Sequence, residues 1–329
     1  MYYENHPILS ELKSQRIKWV EPYGPIAWCG IKEIREHNKT KKIYKVDPYV
    51  EVYQYRDNLY CLYAENADGM QDMWMHLIVG PERAMLIDTG YGIGDTKGLV
   101  DELTGGKELI VVNTHPHCDH AYGNCRFDRV FCHEYDAPVL EQQDAHIWDY
   151  LFDETGKCIW LEFDKADLPE FRKYEIIGVK DGYTFDLGEG YEIELIWLGG
   201  HSPGQSAFLD KQNRLLFSGD DVSAQRVAPG ALTPNPALPY GEYATVLVFR
   251  DQLEKLSKRL GEFDYIFPGH LMLELESHII LSMLETCNQI VADPSCYQYE
   301  SIRTLPNGRV VRTKNTFVED VGTRIGFRD

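Results

Sequence analysis

His115, His117, Asp119 and His120 stand in one run, Thr114-His-Pro-His-Cys-Asp-His120, which puts three of the chain's eleven histidines within six residues. Neutral imidazoles and carboxylates are ligands for zinc, iron or manganese. Side chains two apart in an extended segment share a side, so His115 and His117 can meet one ion. Asp119 and His120, at the turn into a following helix, would face a neighbouring position. Further along the chain His201 sits in Gly199-Gly-His-Ser-Pro-Gly204, Asp220 in Ser218-Gly-Asp-Asp221 and His270 in Phe267-Pro-Gly-His270. Each alone reads as a loop residue, but each follows an apolar run, and that recurrence points to one convergent site. The glycines before His201 let the backbone bend and present the imidazole. A carboxylate between two cations offsets their repulsion, and Asp220 is the candidate bridge. Two cations so held would leave room for a bridging water whose pKa falls to roughly 7, giving hydroxide at neutral pH. Cys118 could be read as a ligand, but chain geometry points it away from its neighbours.

These groups need strands to deliver them. Residues 108–114 form an apolar run that leads straight into the histidine cluster, at the strand end where open sheets place chemistry. From Val50 onward the pattern is of short β-rich runs, including residues 76–80 and 84–90, broken by turn residues. A second strand-rich series covers residues 191–198, 206–209, 214–219 and 265–268, beside the later candidate ligands. Residues 240–260 have helical spacing, with Val246, Leu247, Leu253, Leu256 and Leu260 expected inward, and a further helix is expected over roughly 271–290. Residues 134–178 combine helical spacing with Trp148, Tyr150, Phe152, Trp160, Phe163, Phe171 and Tyr174. They are expected as an inserted helical pair, packed as core or lying over the site as a lid. The division is therefore an N-terminal extension over 1–45, a main α/β domain over 46–290 with its insertion, and a C-terminal β extension over 291–329 with an Asn307-Gly308 turn. The aromatic N-terminal part, with Trp19, Tyr23 and Trp28, is a candidate homodimer contact or lid. A monomeric elution profile unchanged by deleting residues 1–45 would remove the dimer version.

The chain has 329 residues, long enough for one large domain with extensions. Its 52 acidic and 33 basic residues give a formal net charge of −19, which disfavours nucleic acid as a partner, and no Lys/Arg-rich arm or basic exosite is expected. The N-terminus lacks the basic and apolar regions of a secretory signal and no stretch reaches membrane-spanning length, so no membrane partner and a cytoplasmic location are expected. Eight scattered cysteines without a CxxC pair are read as reduced.

Over roughly residues 50–290 the chain resembles the metallo-β-lactamase superfamily. The resemblance rests on His-x-His-x-Asp-His (His115 to His120), Leu-Ile-Asp-Thr-Gly (Leu86 to Gly90), His-Ser-Pro-Gly (His201 to Gly204), Gly-Asp (Gly219, Asp220) and Pro-Gly-His (Pro268 to His270), in the expected order. It implies a four-layer αβ/βα sandwich with two divalent metals at one sheet edge. It also implies His115, His117 and His201 at one metal and Asp119, His120 and His270 at the other, with Asp220 shared and Asp88 positioning the site from behind. Zinc is the expected metal, with iron and manganese also accommodated.

Asp220 looks like the glyoxalase II and lactonase branches, since β-lactamases of class B typically lack that bridging carboxylate. The expected reaction is hydrolysis of a lactone, ester or thioester of a small molecule, with Asp119 orienting the hydroxide. Arg226, Tyr240 and Tyr243, in the Pro-rich segment after Asp220, are candidate substrate contacts or else exposed loop residues. β-Lactam hydrolysis, a phosphodiesterase and an iron-based redox enzyme are the alternatives on this scaffold. A binding module without turnover is disfavoured, because seven converging polar groups kept without metal would destabilise the fold.

Overall fold

The computed structural model describes residues 8, 10–20, 29–70, 72–224, 226–306, 308–319 and 323–329; Tyr23, Trp28 and the Asn307 half of the expected turn lie outside these. The described chain begins with β1 (Gln15–Arg16) and helix α1 (Cys29–His37), then folds through β2 (Lys42–Tyr44), β3 (Asp47–Arg56), β4 (Leu59–Ala64), β5 (Met73–Val79) and β6 (Arg83–Ile87) as successive antiparallel neighbours. Helix α2 (Thr96–Thr104) crosses to β7 (Glu108–Val112), which pairs parallel with β6. The Asp95 side chain caps α2 by accepting from Gly98 N, 3.0 Å away, and Gly105 closes it in the left-handed conformation. After the one-turn helix α3 (Cys118–Ala121) come β8 (Arg129–His133), α4 (Ala137–Leu140), β9 (Leu161–Glu162) and β10 (Glu175–Val179). β10 joins β8 in parallel and completes an eight-stranded sheet.

The second sheet has six strands: β11 (Thr184–Asp186), β12 (Glu192–Trp197), β13 (Ser206–Asp210), β14 (Leu215–Gly219), β15 (Tyr265–Pro268) and β16 (Leu275–Glu276). Helix α5 (Val246–Ser257) connects β14 to the parallel β15, and α6 (Ile279–Ala292) follows β16. The two sheets meet face to face. Period-two alternation in β5 sends Trp74 and Ile78 inward against Phe208, Phe217 and Phe267 of the second sheet, while Met73, Met75 and Leu77 face outward toward Leu99 and Val100 of α2. On the far side Leu209, Leu216 and Ile266 pack against Phe249 and Leu253 of α5 and Met283 and Ile290 of α6. The layering is αβ/βα, the expected sandwich.

Three expectations on local structure are corrected. Residues 134–178 are not a helical pair: they hold the four-residue α4, short 3₁₀ turns over Asp149–Leu151 and Lys165–Asp167, β9 and β10. Their aromatics pack because the segment lies on the outer face of the first sheet, where Trp148, Trp160 and Phe163 join the α2 core, and not because they share a helical stripe. In α5, Leu247 is exposed and Phe249 fills the inward position instead. The helix expected from 271 begins at Ile279, after β16.

A separate three-stranded antiparallel sheet is formed by β17 (Tyr299–Thr304), β18 (Val310–Phe317) and β19 (Arg324–Phe327), whose Ile325 and Phe327 close the α5/α6 core. The N-terminal strand β1 pairs with β9, so the extension is seated on the 134–178 segment. Among the described residues no helix is long and apolar enough to cross a membrane.

Candidate metal centre

Parallel pairing brings the ends of β6 and β7 to one edge of the first sheet, and the ends of β14 and β15 to the same edge of the second. Asp88 follows β6, the His115–His120 run follows β7, Asp220 follows β14 and His270 follows β15. His201 arrives on the loop after β12, where Gly199 and Gly200 hold φ of 62° and 77°. That loop is clamped by Gly200 N donating to Tyr243 O at 2.8 Å.

All seven side chains named from the sequence converge. His115, His117 and His201 form one group, Asp119, His120 and His270 another, and His115, His120 and Asp220 a third that links them. The Asp220 carboxylate straddles the two sides. Its Oδ2 is 3.4 Å from His201 Nε2 and 4.0 Å from His115 Nε2, and its Oδ1 is 3.1 Å from His270 Nε2 and 3.2 Å from His120 Nε2.

The outer partners decide which nitrogen of each ring faces inward. His120 Nδ1–H donates to Asp88 Oδ2 at 2.7 Å, His270 Nδ1–H to Asp72 O at 2.6 Å and His201 Nδ1–H to Ala228 O at 3.0 Å. Thr114 Oγ1 donates to Asp88 Oδ2 at 2.8 Å and so is left to accept from His115 Nδ1–H at 3.0 Å. In their neutral forms these four histidines therefore aim Nε2 lone pairs at the centre. His120 Nε2 and His270 Nε2 lie 3.3 Å apart, His201 Nε2 lies 2.9 Å from His117 Nδ1, and His115 Nε2 is buried with no hydrogen-bond partner. Lone pairs that close repel unless positive charge lies between them.

The electrostatics carry the same demand. Burial pushes His115 well below its ordinary pKa, and His117, whose outer edge reaches solvent, is lowered by withdrawal of its inner edge from water and by the neighbouring His201. Burial also opposes protonation of His120 and His270, but Asp220 and Asp119 outweigh it, so His120 is held well above its ordinary value and His270 rises to about 9. The protein supplies two inward carboxylates and a ring of nitrogen donors, and the donor set fits divalent cations.

Asp88, at φ 65°, is held by its own bonds: Oδ1 accepts from Thr114 N and Oδ2 from Thr114 Oγ1 and His120 Nδ1. Gly123 fits the loop after α3 against this turn, since a Cβ there would lie 2.1 Å from Thr89 O. Several positioning residues were not singled out from the sequence. Asn66 Nδ2 donates to Asp119 Oδ2 at 3.1 Å, and Asp72 orients His270 through its carbonyl. Asp136 accepts from Ser202 Oγ at 2.6 Å and Gly204 N at 2.9 Å, pinning the His201 loop. The turn-forming Asn-Ala-Asp-Gly run at 66–69 was a usable signal; Asp136 gave none.

Burial pushes the Asp136 carboxyl up to about 7, against the two bonds that favour its charge. A folded pKa raised above the unfolded one gives stability that is fully present below about 3.8 and is lost as pH rises through 7. Asp136→Asn should therefore show a smaller gain in melting temperature than the parent chain when pH falls from 7.5 to 5. Parallel thermal melts check this, and a larger gain in the variant would reverse the sign.

Of the three candidate substrate contacts, only Arg226 lines the cleft above the cluster, together with Asp68, Met70, Tyr122 and Tyr150. Tyr240 and Tyr243 are directed elsewhere: their rings lie 4.8 and 4.4 Å from that of Tyr135, and Tyr243 also meets Trp197 edge-on at 5.4 Å. Stacking on the end of β12 fixes them outside the cleft. Cys118, half-buried, belongs to none of the three ligand groups, and withdrawal from water pushes its thiol well above its ordinary pKa. The expectation of no basic exosite is also corrected, because Arg226, Arg303, Arg309 and Arg328 line one cleft.

Residues 74–270 match the family model described as the metallo-beta-lactamase superfamily, and the chain belongs to that superfamily as a metal-binding hydrolase. Among its relatives is the Bos taurus protein named acyl-coenzyme A thioesterase MBLAC2, 29% identical over 216 residues that span 59% of this chain and 71% of that protein. The Homo sapiens protein of the same name is 28% identical over the same shares. The solved metallo-beta-lactamase from Pontibacter korlensis shares the fold at 19% identity and a TM-score of 0.50, covering 72% of this chain and 99% of that one.

Proposed function

We propose that the chain hydrolyses the thioester bond of a small acyl compound with two divalent cations, zinc being the expected pair. His115, His117 and His201 would hold one cation, Asp119, His120 and His270 the other, and Asp220 both. The observation that carries this reading is the divided Asp220 carboxylate, with one oxygen turned to each histidine set. Cations bound there supply a water acidified to a pKa of roughly 7 and positive charge to polarise a carbonyl.

The protein's own groups supply the rest. Asp119 is fixed by Asn66, and its Oδ1, 3.8 Å from His120 Nε2, is placed to orient an attacking water or accept its proton. Met70, Tyr122 and Tyr150 offer a largely apolar wall for an acyl group. Similarity to proteins named acyl-coenzyme A thioesterases favours a thioester over a lactone or oxygen ester. The described cysteines are all free thiols, which supports a reducing, cytoplasmic setting.

The test is turnover by metal-reconstituted protein on an acyl thioester, a lactone, an aryl ester, a β-lactam and a phosphodiester, each with and without a chelator. Chelator-sensitive cleavage confined to carbonyl substrates, fastest on the thioester, is the expected result. Cleavage of the phosphodiester alone would overturn the reading.

A further inference from the structure

The cleft over the metal centre has a wall that the matched family region, ending at residue 270, does not include. That wall is the C-terminal sheet. β19 is bonded to the loop after Asp220: Val227 N donates to Arg324 O at 2.9 Å, Gly326 N to Val227 O at 2.8 Å and Leu232 N to Arg328 O at 2.8 Å. The same loop offers Ala228 O to His201, so the sheet and a candidate ligand share one support.

Register then sets which side chains look into the cleft. Arg303 on β17 pairs with Val311 on β18, and Thr313 lies two residues on, so all three share a face. Arg226 lies across this face, its Nη2 donating to Thr313 Oγ1 at 3.4 Å. Arg309, just before β18, and Arg328, just after β19, complete the lining. Partial withdrawal from water and the positive charge of Arg309 hold the Arg328 guanidinium below its ordinary range. A chain of net charge −19 has thus gathered like charges on one wall beside its site. Guanidinium groups offer forked donors matched to phosphate.

We propose that Arg226, Arg303, Arg309 and Arg328 recognise phosphate groups on the leaving half of the substrate, which makes the substrate a thioester of a phosphorylated carrier. This rests on the thioester reading above. The carrier's phosphates lie on the C-terminal sheet, while its sulfur and the acyl carbonyl reach the His/Asp cluster on the cleft floor. The C-terminal sheet is then a specificity element, and its arginines select the carrier and not the acyl group.

The test uses adenosine 3′,5′-bisphosphate, which has phosphates but no thioester, titrated calorimetrically into the full-length, metal-loaded protein. Arg309→Glu and Arg328→Glu, outside the strands that hold the sheet together, should each weaken binding by roughly tenfold to hundredfold. Arg312→Glu, between the face residues on β18 and paired instead with Glu300, should change it less than about twofold. Equal affinity for orthophosphate, tighter binding of a short single-stranded oligonucleotide, or indifference to both substitutions would each overturn the proposal. A second arm compares kcat/KM for one acyl group on the phosphorylated carrier and on N-acetylcysteamine. The expected preference of at least roughly tenfold for the phosphorylated form should shrink in Arg309→Glu, and no preference in the parent chain would overturn the proposal. Because the bisphosphate contains no thioester, Arg-dependent binding with a silent hydrolysis panel would sink the thioester reading and leave the phosphate face standing.

Discussion

Asp220→Ala should lower kcat/KM on the preferred thioester by roughly 10³-fold or more, because loss of metal charge at the reacting carbonyl removes several kcal/mol of transition-state stabilisation. Each histidine of this cluster can turn one ring nitrogen to the centre, whereas Asp220 offers one oxygen to each histidine set. Without it, the two histidine sets would share no carboxylate. The lone pairs of His120 and His270, 3.3 Å apart, would also lose the carboxylate that draws positive charge to them. Metal content measured by mass spectrometry is expected to fall well below that of the parent protein, with far-ultraviolet circular dichroism unchanged. Asp220→Asn keeps one ligating oxygen but no charge, so its metal content and rate should lie between parent and alanine variant. Full metal content with undiminished turnover in Asp220→Ala would remove the bridging role.

Much of the site was legible because its ligands lie next to strand ends in the sequence itself. The His115–His120 run needs only the strand before it, and His201, Asp220 and His270 each follow an apolar run that became β12, β14 or β15. Groups placed by tertiary packing were not legible in this way. Tyr240 and Tyr243 could be read from their position after Asp220 either as cleft residues or as exposed loop residues, and the partners that decide it, Tyr135 and Trp197, are distant in sequence. The segment 134–178 misled for the same reason: Trp148 and Trp160 are spaced by the sheet surface they cover and not by a helix.

Whole-chain charge hid the arginine wall. An excess of 19 negative charges says nothing about where the positive ones gather, and Arg226, Arg303, Arg309 and Arg328 come from a loop and all three strands or strand ends of the C-terminal sheet. What brings them together is strand register, in particular Arg303 opposite Val311 and the bonding of β19 to residues 227–232. The His/Asp floor is therefore written in local motifs, while the arginine wall is written in pairings across the fold. That division would match the tasks proposed for them, since metal ligation needs fixed donors and carrier recognition would depend on the shape and charge of an added surface.

The largest loss of stability is expected from Arg35→Met. Arg35 on α1 is 3% exposed and Glu51 on β3 is fully buried, and they meet in a forked pair, Nε to Oε2 at 3.0 Å and Nη2 to Oε1 at 2.8 Å. Arg35 Nη1 donates to Tyr63 OH at 3.0 Å, its guanidinium lies 4.2 Å from the Tyr63 ring centre, and Tyr53 OH donates to Glu51 Oε2 at 2.6 Å. Methionine can refill much of the volume but leaves the Glu51 charge buried with only the tyrosine donor. An uncompensated buried charge of this kind costs about 3–5 kcal/mol. The urea midpoint should fall at an unchanged slope if the unfolded state is unaffected. Replacing both partners, Arg35→Met with Glu51→Leu, should recover a large part of the loss, because it removes the stranded charge and not merely its partner. A double variant no more stable than the single one would show that the pair's hydrogen bonds to Tyr53 and Tyr63, and not its charge balance, hold α1 to the sheet.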